Sequence, residues 1–227
     1  RSSQLNIYAP PTFRPTLEFF MQNFGEGIQF ELNYVELGME SPEVVYENRN
    51  VELLAFPLNH RVETFGFIIR EKMPSHNVYK DAISKYGLNL TEIGTLKRGE
   101  DVVRENGELI KASDAAYIPY YPRSYAYCSD TAPFPELVQW VKGVTLLYHE
   151  ATFPQEMTEM AEKTFHSTTL QAAQAALDAG VGKLLVGHYS SRFPSVDFYL
   201  DELRTIFPEV ALAHDGDVVE IPYIRNL

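Results

Sequence analysis

Cysteine is almost absent from this sequence of 227 residues, with Cys128 as the single example. One cysteine cannot form an internal disulfide. This agrees with a reducing compartment, and we expect a cytoplasmic protein. A thiolate cluster is excluded as well, so any metal ion would be held by nitrogen and oxygen ligands.

Long apolar runs and basic residues are also scarce. No run approaches the roughly 20 apolar residues that a membrane-spanning helix needs, and no basic-then-apolar signal opens the sequence. We therefore expect no membrane partner. Lysine and arginine number 19 against 31 aspartates and glutamates, which gives a net charge of −12. A broad basic face, as used by most nucleic-acid-binding proteins, is not expected, although the composition allows a small local one.

The remaining composition is typical of a globular domain, and the first half predicts several strands and one helix. Thr12 is predicted to cap a helix from Arg14 to Phe24 with an apolar face. Strands are predicted at 5–8, 31–35, 51–56 and 64–69. Residues 71–99 then lose this periodicity and include the basic pair Lys97-Arg98. We interpret them as an inserted arm with a helix at 78–86, or alternatively as a surface insertion without function. Asn106-Gly107 predicts a hairpin turn.

From Tyr125 onward the predicted order is β-α-β-α-β. Strands are predicted at 125–128, 145–149, 183–186, 210–213 and 218–220, and helices at 134–141, 154–163, 169–179 and 196–207. Thr168 is predicted to cap the third of these helices and Gly180 to end it. Alternation of strands and helices predicts an α/β domain in which helices cover a sheet.

Histidines and acids lie at the ends of these predicted strands and beside the Thr168 helix. They are His60, Asp130, His149, Glu150, His166 and His188. Side chains at the carboxyl ends of neighbouring strands converge on one edge of an α/β sheet, where ligands bind. Imidazole and carboxylate are good metal ligands. The pattern therefore predicts a metal site at this edge.

Each of these residues also has a structural interpretation. Asp130 could cap the helix that begins near Phe134, and His60 and His188 could simply be satisfied by hydrogen bonds. His149 and His166 could orient metal ligands or move a proton, or could be purely structural. His166 could also contact a substrate phosphate beside a helix N-terminus. The two other histidines, at 76 and 214, are interpreted as without a role at the site.

Six segments share their order and approximate spacing with a known family. They are Asn6–Pro10, Phe56–Phe67, Ser129–Thr131, His149–Phe153, His166–Ala173 and Gly187–Phe193. Together they resemble the ribonuclease Z family, the tRNA 3′-processing endonucleases of the metallo-β-lactamase superfamily, over nearly the whole chain. The resemblance implies the αββα sandwich of that superfamily and a zinc-dependent endoribonuclease. Such an enzyme hydrolyses a phosphodiester at the 3′ end of precursor tRNA and removes the trailer.

The resemblance also implies roles for individual residues. His60 resembles a ligand of one zinc ion, Asp130 the carboxylate that bridges two, and His188 a ligand of the second. His166 resembles the histidine that assists at the scissile phosphate. His149 and Glu150 resemble the residues that support it, and these three are the catalytic candidates. Two Zn²⁺ ions per active site, a precursor tRNA substrate and a homodimer are implied in the same way.

Two departures from the family pattern are visible. The segment 71–99 corresponds to the arm that grips tRNA, but Gly87–Gly94 stands where a Gly-Pro-rich stretch is expected. The family's His-x-His-x-Asp-His motif, which supplies the remaining zinc ligands, occurs nowhere in the 227 residues. In the family it lies just upstream of the opening strand. We therefore expect the N-terminal part of the fold to be missing and this chain alone to be inactive.

Two alternatives remain open at this point. One is a different hydrolase of the same superfamily, such as a phosphodiesterase or an arylsulfatase-like enzyme, with the same sheet and ligands. The other is a degenerate, non-catalytic chain that acts as an RNA-binding or dimerisation partner, because three ligands are too few for two zinc ions.

Overall fold

The computed structural model describes residues 3–226, which group into two compact units. The first unit contains the residues up to Glu47, Glu52–Ile69 and Ser124–Val219. The second contains Asn48–Val51, Arg70–Arg123 and the residues from Glu220 onward. The predicted arm at 71–99 lies in the second unit.

The strands, in chain order, are β1 Leu5–Ala9, β2 Leu32–Glu36, β3 Glu43–Glu47, β4 Val51–Pro57, β5 Phe65–Glu71, β6 Asn77–Val78, β7 Val102–Val103, β8 Leu109–Ile110, β9 Ala116–Tyr117, β10 Ser124–Cys128, β11 Leu146–Glu150, β12 Leu184–Gly187 and β13 Val210–Leu212. The helices are α1 Arg14–Phe24, α2 Lys80–Tyr86, α3 Leu90–Lys97, α4 Ala112–Ala115, α5 Pro135–Trp140, α6 Thr158–Thr164, α7 Thr169–Ala179 and α8 Tyr199–Ile206. Short 3₁₀ turns precede α1 at Pro11–Phe13 and α6 at Gln155–Met157.

A seven-stranded sheet in the order β13-β12-β11-β10-β5-β4-β3 forms the centre of the first unit. Strands β10 to β13 are parallel, whereas β3 and β4 are antiparallel. Parallel strands are covered on their faces and therefore read as continuous apolar runs, as in β12, whose four residues are all buried. The predicted β-α-β-α-β order from 125 to 213 is confirmed.

The core of this unit lies between the parallel strands and α5, α7 and α8. Alanines on α7, among them Ala172 and Ala176, are fully buried against Leu147 and Leu184 of the sheet. Small side chains on one helix face allow the helix to approach the strands closely. Thr168 caps α7 through a capping box with Gln171, and Gly180 ends it with φ 61°. Both predictions for this helix are confirmed.

Three predictions about local structure were wrong. Thr12 does not cap α1, because it lies inside the 3₁₀ turn that leads directly into the helix, and Phe13 occupies the cap position. Residues 218–220 form no strand; Val218 is 86% exposed and has no neighbouring strand to pair with among the described residues. The last helix begins at Tyr199, three residues later than predicted.

The second unit is built from short pieces around its own apolar core. Strands β6 and β9 pair antiparallel, and β7 and β8 form the hairpin that Asn106-Gly107 predicts. The core comprises Ala82, Leu88, Leu96, Val102, Ile110, Ala112, Ala115 and Ala116. Helix α3 was not predicted, although Asn89 and Glu92 form a complete capping box at its start. Within residues 3–226, no helix is long and apolar enough to cross a bilayer.

Candidate metal centre and active site

Five of the six predicted site residues meet at one edge of the sheet in the first unit. Glu150 is the last residue of β11, His188 follows β12 directly, and Asp130 lies two residues beyond β10. His166 stands between α6 and α7, and His60 lies in the β4–β5 connection. One ligand atom each from His60, Asp130 and His166 lie within 4.8 Å of one another, as do atoms of Glu150, His166 and His188.

The backbone at this edge is strained. Asp130, Phe165 and His188 have φ of 57°, 60° and 60°, and within residues 3–226 they are the non-glycine residues with positive φ. The left-handed region costs a residue with a Cβ roughly 1–2 kcal/mol. Two of the three carry candidate ligands, and the third gives its carbonyl oxygen to His60. Such strain persists where surrounding contacts hold it, and here it directs side chains toward one point.

Glu150 joins the loops of this site through a fully buried carboxylate. Its Oε1 accepts hydrogen bonds from the Thr131 backbone N–H at 2.8 Å and from His166 Nδ1 at 2.7 Å. Its Oε2 accepts three more, from Thr152 N at 3.1 Å, Thr152 Oγ1 at 2.6 Å and Ser167 N at 3.2 Å. Burial of a carboxylate is costly unless it is well hydrogen-bonded. Five donors from three loops meet that requirement and fix the loops relative to one another.

The hydrogen bonds of the three histidines determine which ring nitrogen faces the site. His60 Nδ1 lies 2.9 Å from the Phe165 carbonyl oxygen, and His166 Nδ1 bonds the Glu150 carboxylate. Both partners can only accept, so the proton is on Nδ1 in each ring. His188 Nδ1 lies 2.9 Å from Thr152 Oγ1, whose own proton goes to Glu150. All three rings therefore offer the lone pair of Nε2.

Imidazole nitrogens and the Asp130 carboxylate are donors of kinds that suit a divalent metal. His188 Nε2 is 3.0 Å from Asp130 Oδ1. The ring of His166 lies between those of His60 and His188, at centroid distances of 5.0 and 5.3 Å. Metal-binding histidines usually donate their other N–H to a carboxylate or carbonyl, as the rings of His60 and His166 do here, whereas His188 bonds the Thr152 hydroxyl. Nitrogen and oxygen ligands suit zinc, and also manganese, iron and cobalt.

The interpretation of Asp130 as a helix cap is excluded by the structure. Phe134 occupies the N-cap position of α5, and no side chain caps that helix. The Asp130 side chain instead points toward His188, as the preceding distance shows.

His149 does not join the other five residues. Its imidazole is 1% exposed and lines a cavity of about 310 Å³ together with residues of α5 and α7, including Leu137 and Ala175. Its Nδ1 donates to the Glu150 carbonyl oxygen at 2.6 Å. Because His149 holds the backbone of Glu150, we keep it as a candidate support for that residue.

Comparison with known proteins identifies the family of this chain. Ribonuclease Z of Bacteroides thetaiotaomicron is 35% identical over 225 residues, which cover 97% of this chain and 70% of that protein. Ribonuclease Z of Cytophaga hutchinsonii is 36% identical over 217 residues, covering 95% and 69%. The chain belongs to the ribonuclease Z family. It spans about 70% of the length of these curated relatives. No protein-family model matches it.

Solved structures confirm the fold class of this family member. Human tRNase Z, short form, is similar with a TM-score of 0.63 and 20% identity, covering 96% of this chain and 67% of that one. The metallo-β-lactamase fold protein YhfI of Bacillus subtilis is similar with a TM-score of 0.59 and 14% identity, covering 98% and 66%. The predicted metallo-β-lactamase fold is therefore confirmed.

Sequence reasoning missed three polar residues that hold the ribonuclease Z site together. Thr131, Thr152 and Ser167 are buried, and all three donate to the Glu150 carboxylate. Ser167 Oγ also donates to the Thr131 carbonyl oxygen at 2.7 Å, which joins two of the loops directly. Their positions in the sequence were the available signal. Thr131 and Ser167 directly follow predicted site residues, and Thr152 lies two residues after Glu150.

Burial of His149 leads to a prediction about pH. Burial lowers the pKa of its imidazole, which therefore stays neutral in the folded chain. In the unfolded chain the same ring takes up a proton below about pH 6.5. The unfolded state then binds more protons, so stability should fall as pH falls below about 6.5, by up to about 1.4 kcal/mol per pH unit for this group.

The measurement is urea unfolding of the chain across this pH range. In a His149→Asn variant, the amide can still donate to the Glu150 carbonyl oxygen but does not titrate, so the slope of stability against pH should drop by one proton. His214→Asn, at an exposed histidine, is measured in parallel for comparison. An unchanged slope in His149→Asn would show that His149 is not kept neutral by folding.

Proposed function

We propose that this chain carries a major part of the active site of a zinc-dependent endoribonuclease. The reaction is hydrolysis of a phosphodiester at the 3′ end of precursor tRNA, which removes the trailer. One observation carries the proposal: two groups of candidate ligands, which share His166, lie at the sheet edge of a chain 35% identical to a ribonuclease Z.

In this proposal His60, Asp130 and His188 hold the zinc. Asp130 would contribute its two carboxylate oxygens to the metal site. When bound, zinc polarises the phosphate, lowers the pKa of a bound water and stabilises the charge that develops. A two-zinc centre needs about six to eight donors, so it requires ligands in addition to those grouped here.

His166 is proposed to donate a proton to the leaving ribose oxygen. Its Nδ1 is fixed by the Glu150 carboxylate at 2.7 Å, so the ring presents Nε2 to the site. A proton carried on Nε2 could be given to the departing oxygen. Glu150 keeps the ring oriented before and after the transfer, as an acid does beside a catalytic histidine.

Residues 71–99 and the rest of the second unit are proposed to hold the tRNA. The unit has its own core, which allows it to present a fixed surface to RNA of defined shape. Of the basic pair, Arg98 is bound to Glu100 at 2.8 Å, which leaves Lys97 as the more available cation. A homodimer and a cytoplasmic location belong to the same proposal.

Removal of a proposed ligand tests this function directly. In the protein expressed from its full reading frame, Asp130→Ala and His188→Ala should each lower the rate of precursor tRNA cleavage by about 100-fold or more, because metal contributes several kcal/mol to such reactions. The measurement is single-turnover cleavage of a tRNA with a 3′ trailer, together with zinc analysis of each variant.

His214→Ala is the control, since this histidine is exposed and pairs with Asp217 away from the ligand groups. It should cleave at the wild-type rate and hold wild-type zinc. Retention of full cleavage by Asp130→Ala would overturn the proposed site, and absence of cleavage by the wild-type protein would favour another hydrolase or a non-catalytic role.

A further inference from the structure

Thr152 is buried between Glu150, which holds the proposed proton donor His166, and His188, a proposed metal ligand. Its hydroxyl is 2.6 Å from Glu150 Oε2 and 2.9 Å from His188 Nδ1. The residue is 6% exposed. Its carbonyl oxygen accepts from the Ser190 N–H and from the Tyr199 hydroxyl, both at 3.1 Å. Contacts on both sides therefore hold the hydroxyl in place.

The direction of these two hydrogen bonds follows from the partners. A hydroxyl has one proton to donate, and the ionised carboxylate of Glu150 can only accept. The Thr152 proton therefore goes to Glu150, in a short, charge-assisted bond that is stronger than a neutral one. The lone pairs of Oγ1 remain for His188, so Nδ1 of that ring must be the donor.

The second nitrogen of His188 faces a competing partner. Its Nε2 lies 3.0 Å from Asp130 Oδ1, and an Nε2–H could donate there in the absence of metal. That tautomer would place the proton on the nitrogen that must bind zinc. The Asp130 and His188 side chains are 38% and 39% exposed, so water weakens their interaction, whereas the Glu150–Thr152 bond is buried. The buried bond should therefore decide the tautomer.

We propose that Thr152 is a positioning residue that keeps Nδ1 of His188 protonated and so leaves the Nε2 lone pair available to a divalent metal. The proposal rests on the proposed function only in taking His188 Nε2 as a metal-binding atom. Glu150 holds His166 directly and His188 through Thr152. One buried carboxylate thus sets the tautomers of a histidine proposed for proton transfer and of a histidine proposed for metal binding.

The test compares Thr152→Val, which keeps the shape but removes the hydroxyl, with Thr152→Ser, which keeps the hydroxyl. Long-range ¹H–¹⁵N NMR of the metal-free chain, at an alkaline pH where imidazoles are neutral, reports the tautomer of His188. We expect the Nδ1-protonated form in the wild-type and serine chains and a shift to the Nε2-protonated form in the valine chain. Cobalt titration, followed by absorbance, should show about 10–100-fold weaker binding in Thr152→Val and near wild-type binding in Thr152→Ser.

Thr169→Val is the matched control for loss of a buried hydroxyl. The Thr169 hydroxyl also donates to a carboxylate, that of Glu202, which is not among the grouped ligands. This variant should lose stability without changing the His188 tautomer or cobalt affinity. Wild-type tautomer and affinity in Thr152→Val would overturn the proposal. If precursor tRNA is not cleaved but the NMR and cobalt results hold, the role of Thr152 stands and the proposed substrate is wrong.

Discussion

Replacement of Glu150 by glutamine is expected to destabilise the folded chain by about 2–5 kcal/mol. The carboxylate is fully buried and accepts five hydrogen bonds, three of them from backbone N–H groups. An amide keeps one oxygen and places an NH₂ group against donors at the other position. Whichever oxygen is replaced, at least two buried donors lose their acceptor, and each unpaired donor costs about 1–3 kcal/mol.

Urea unfolding of the metal-free chain measures this loss without dependence on activity. Glu202→Gln is the comparison, because the Glu202 carboxylate accepts from the Gln155 N–H at 3.0 Å and from one threonine hydroxyl. Because fewer donors would lose an acceptor, Glu202→Gln should lower the free energy of unfolding less than Glu150→Gln. A Glu150→Gln chain as stable as the wild type would show that the five bonds do not hold the three loops together.

Removal of most of the second unit is expected to reduce cleavage of precursor tRNA much more than hydrolysis of a small phosphodiester. Asn77 and Tyr117 face each other in the antiparallel β6–β9 pair, so a two-residue glycine-containing turn can replace residues 78–116. In the protein expressed from its full reading frame, cleavage of precursor tRNA should fall about 100-fold or more if the unit makes the proposed contacts to several tRNA phosphates. Hydrolysis of a small phosphodiester should change only a few-fold.

The structure determines where this replacement begins and ends. A deletion of 71–99 alone would remove Ala82 and Leu96 while leaving Ile110, so it would cut through the core of the unit. The replacement of 78–116 removes that core as a whole. Loss of both activities to the same extent would argue against a separate tRNA-binding role, and loss of neither would place tRNA recognition elsewhere. Circular dichroism of the variant checks that the large sheet remains folded.

Local signals in the sequence were sufficient for much of the first unit. The cap at Thr168, the stop at Gly180 and the apolar runs of the parallel strands each act over a few residues, and the structure has them as predicted. Strand β3 was missed because its Glu43–Glu47 segment is mostly exposed and alternates weakly. Helix α3 was missed because Gly94 interrupts it and its apolar residues form no clear stripe.

The residues of the candidate site could be named from the sequence, but their side-chain directions and backbone conformations could not. His149 and Glu150 are neighbours on β11 and were predicted to work together. Successive side chains of a strand point to opposite faces, and the structure places Glu150 among the histidines and His149 against the helices. The positive φ of Asp130 and His188 could not be predicted, because Asp and His adopt it only in a minority of cases and the contacts that offset the strain are distant in sequence.

The end of α6 has a consequence for how the chain can vary. The helix runs from Thr158 to Thr164 and stops at Phe165, whose left-handed conformation aims its carbonyl oxygen at His60 and starts the next residue, His166, toward Glu150. One added or deleted residue in this helix would rotate its end by about 100° and move both partners out of reach. The seven-residue length of α6 therefore fixes the positions of Phe165 and His166 in the site. Insertions should be tolerated in surface loops rather than in this helix.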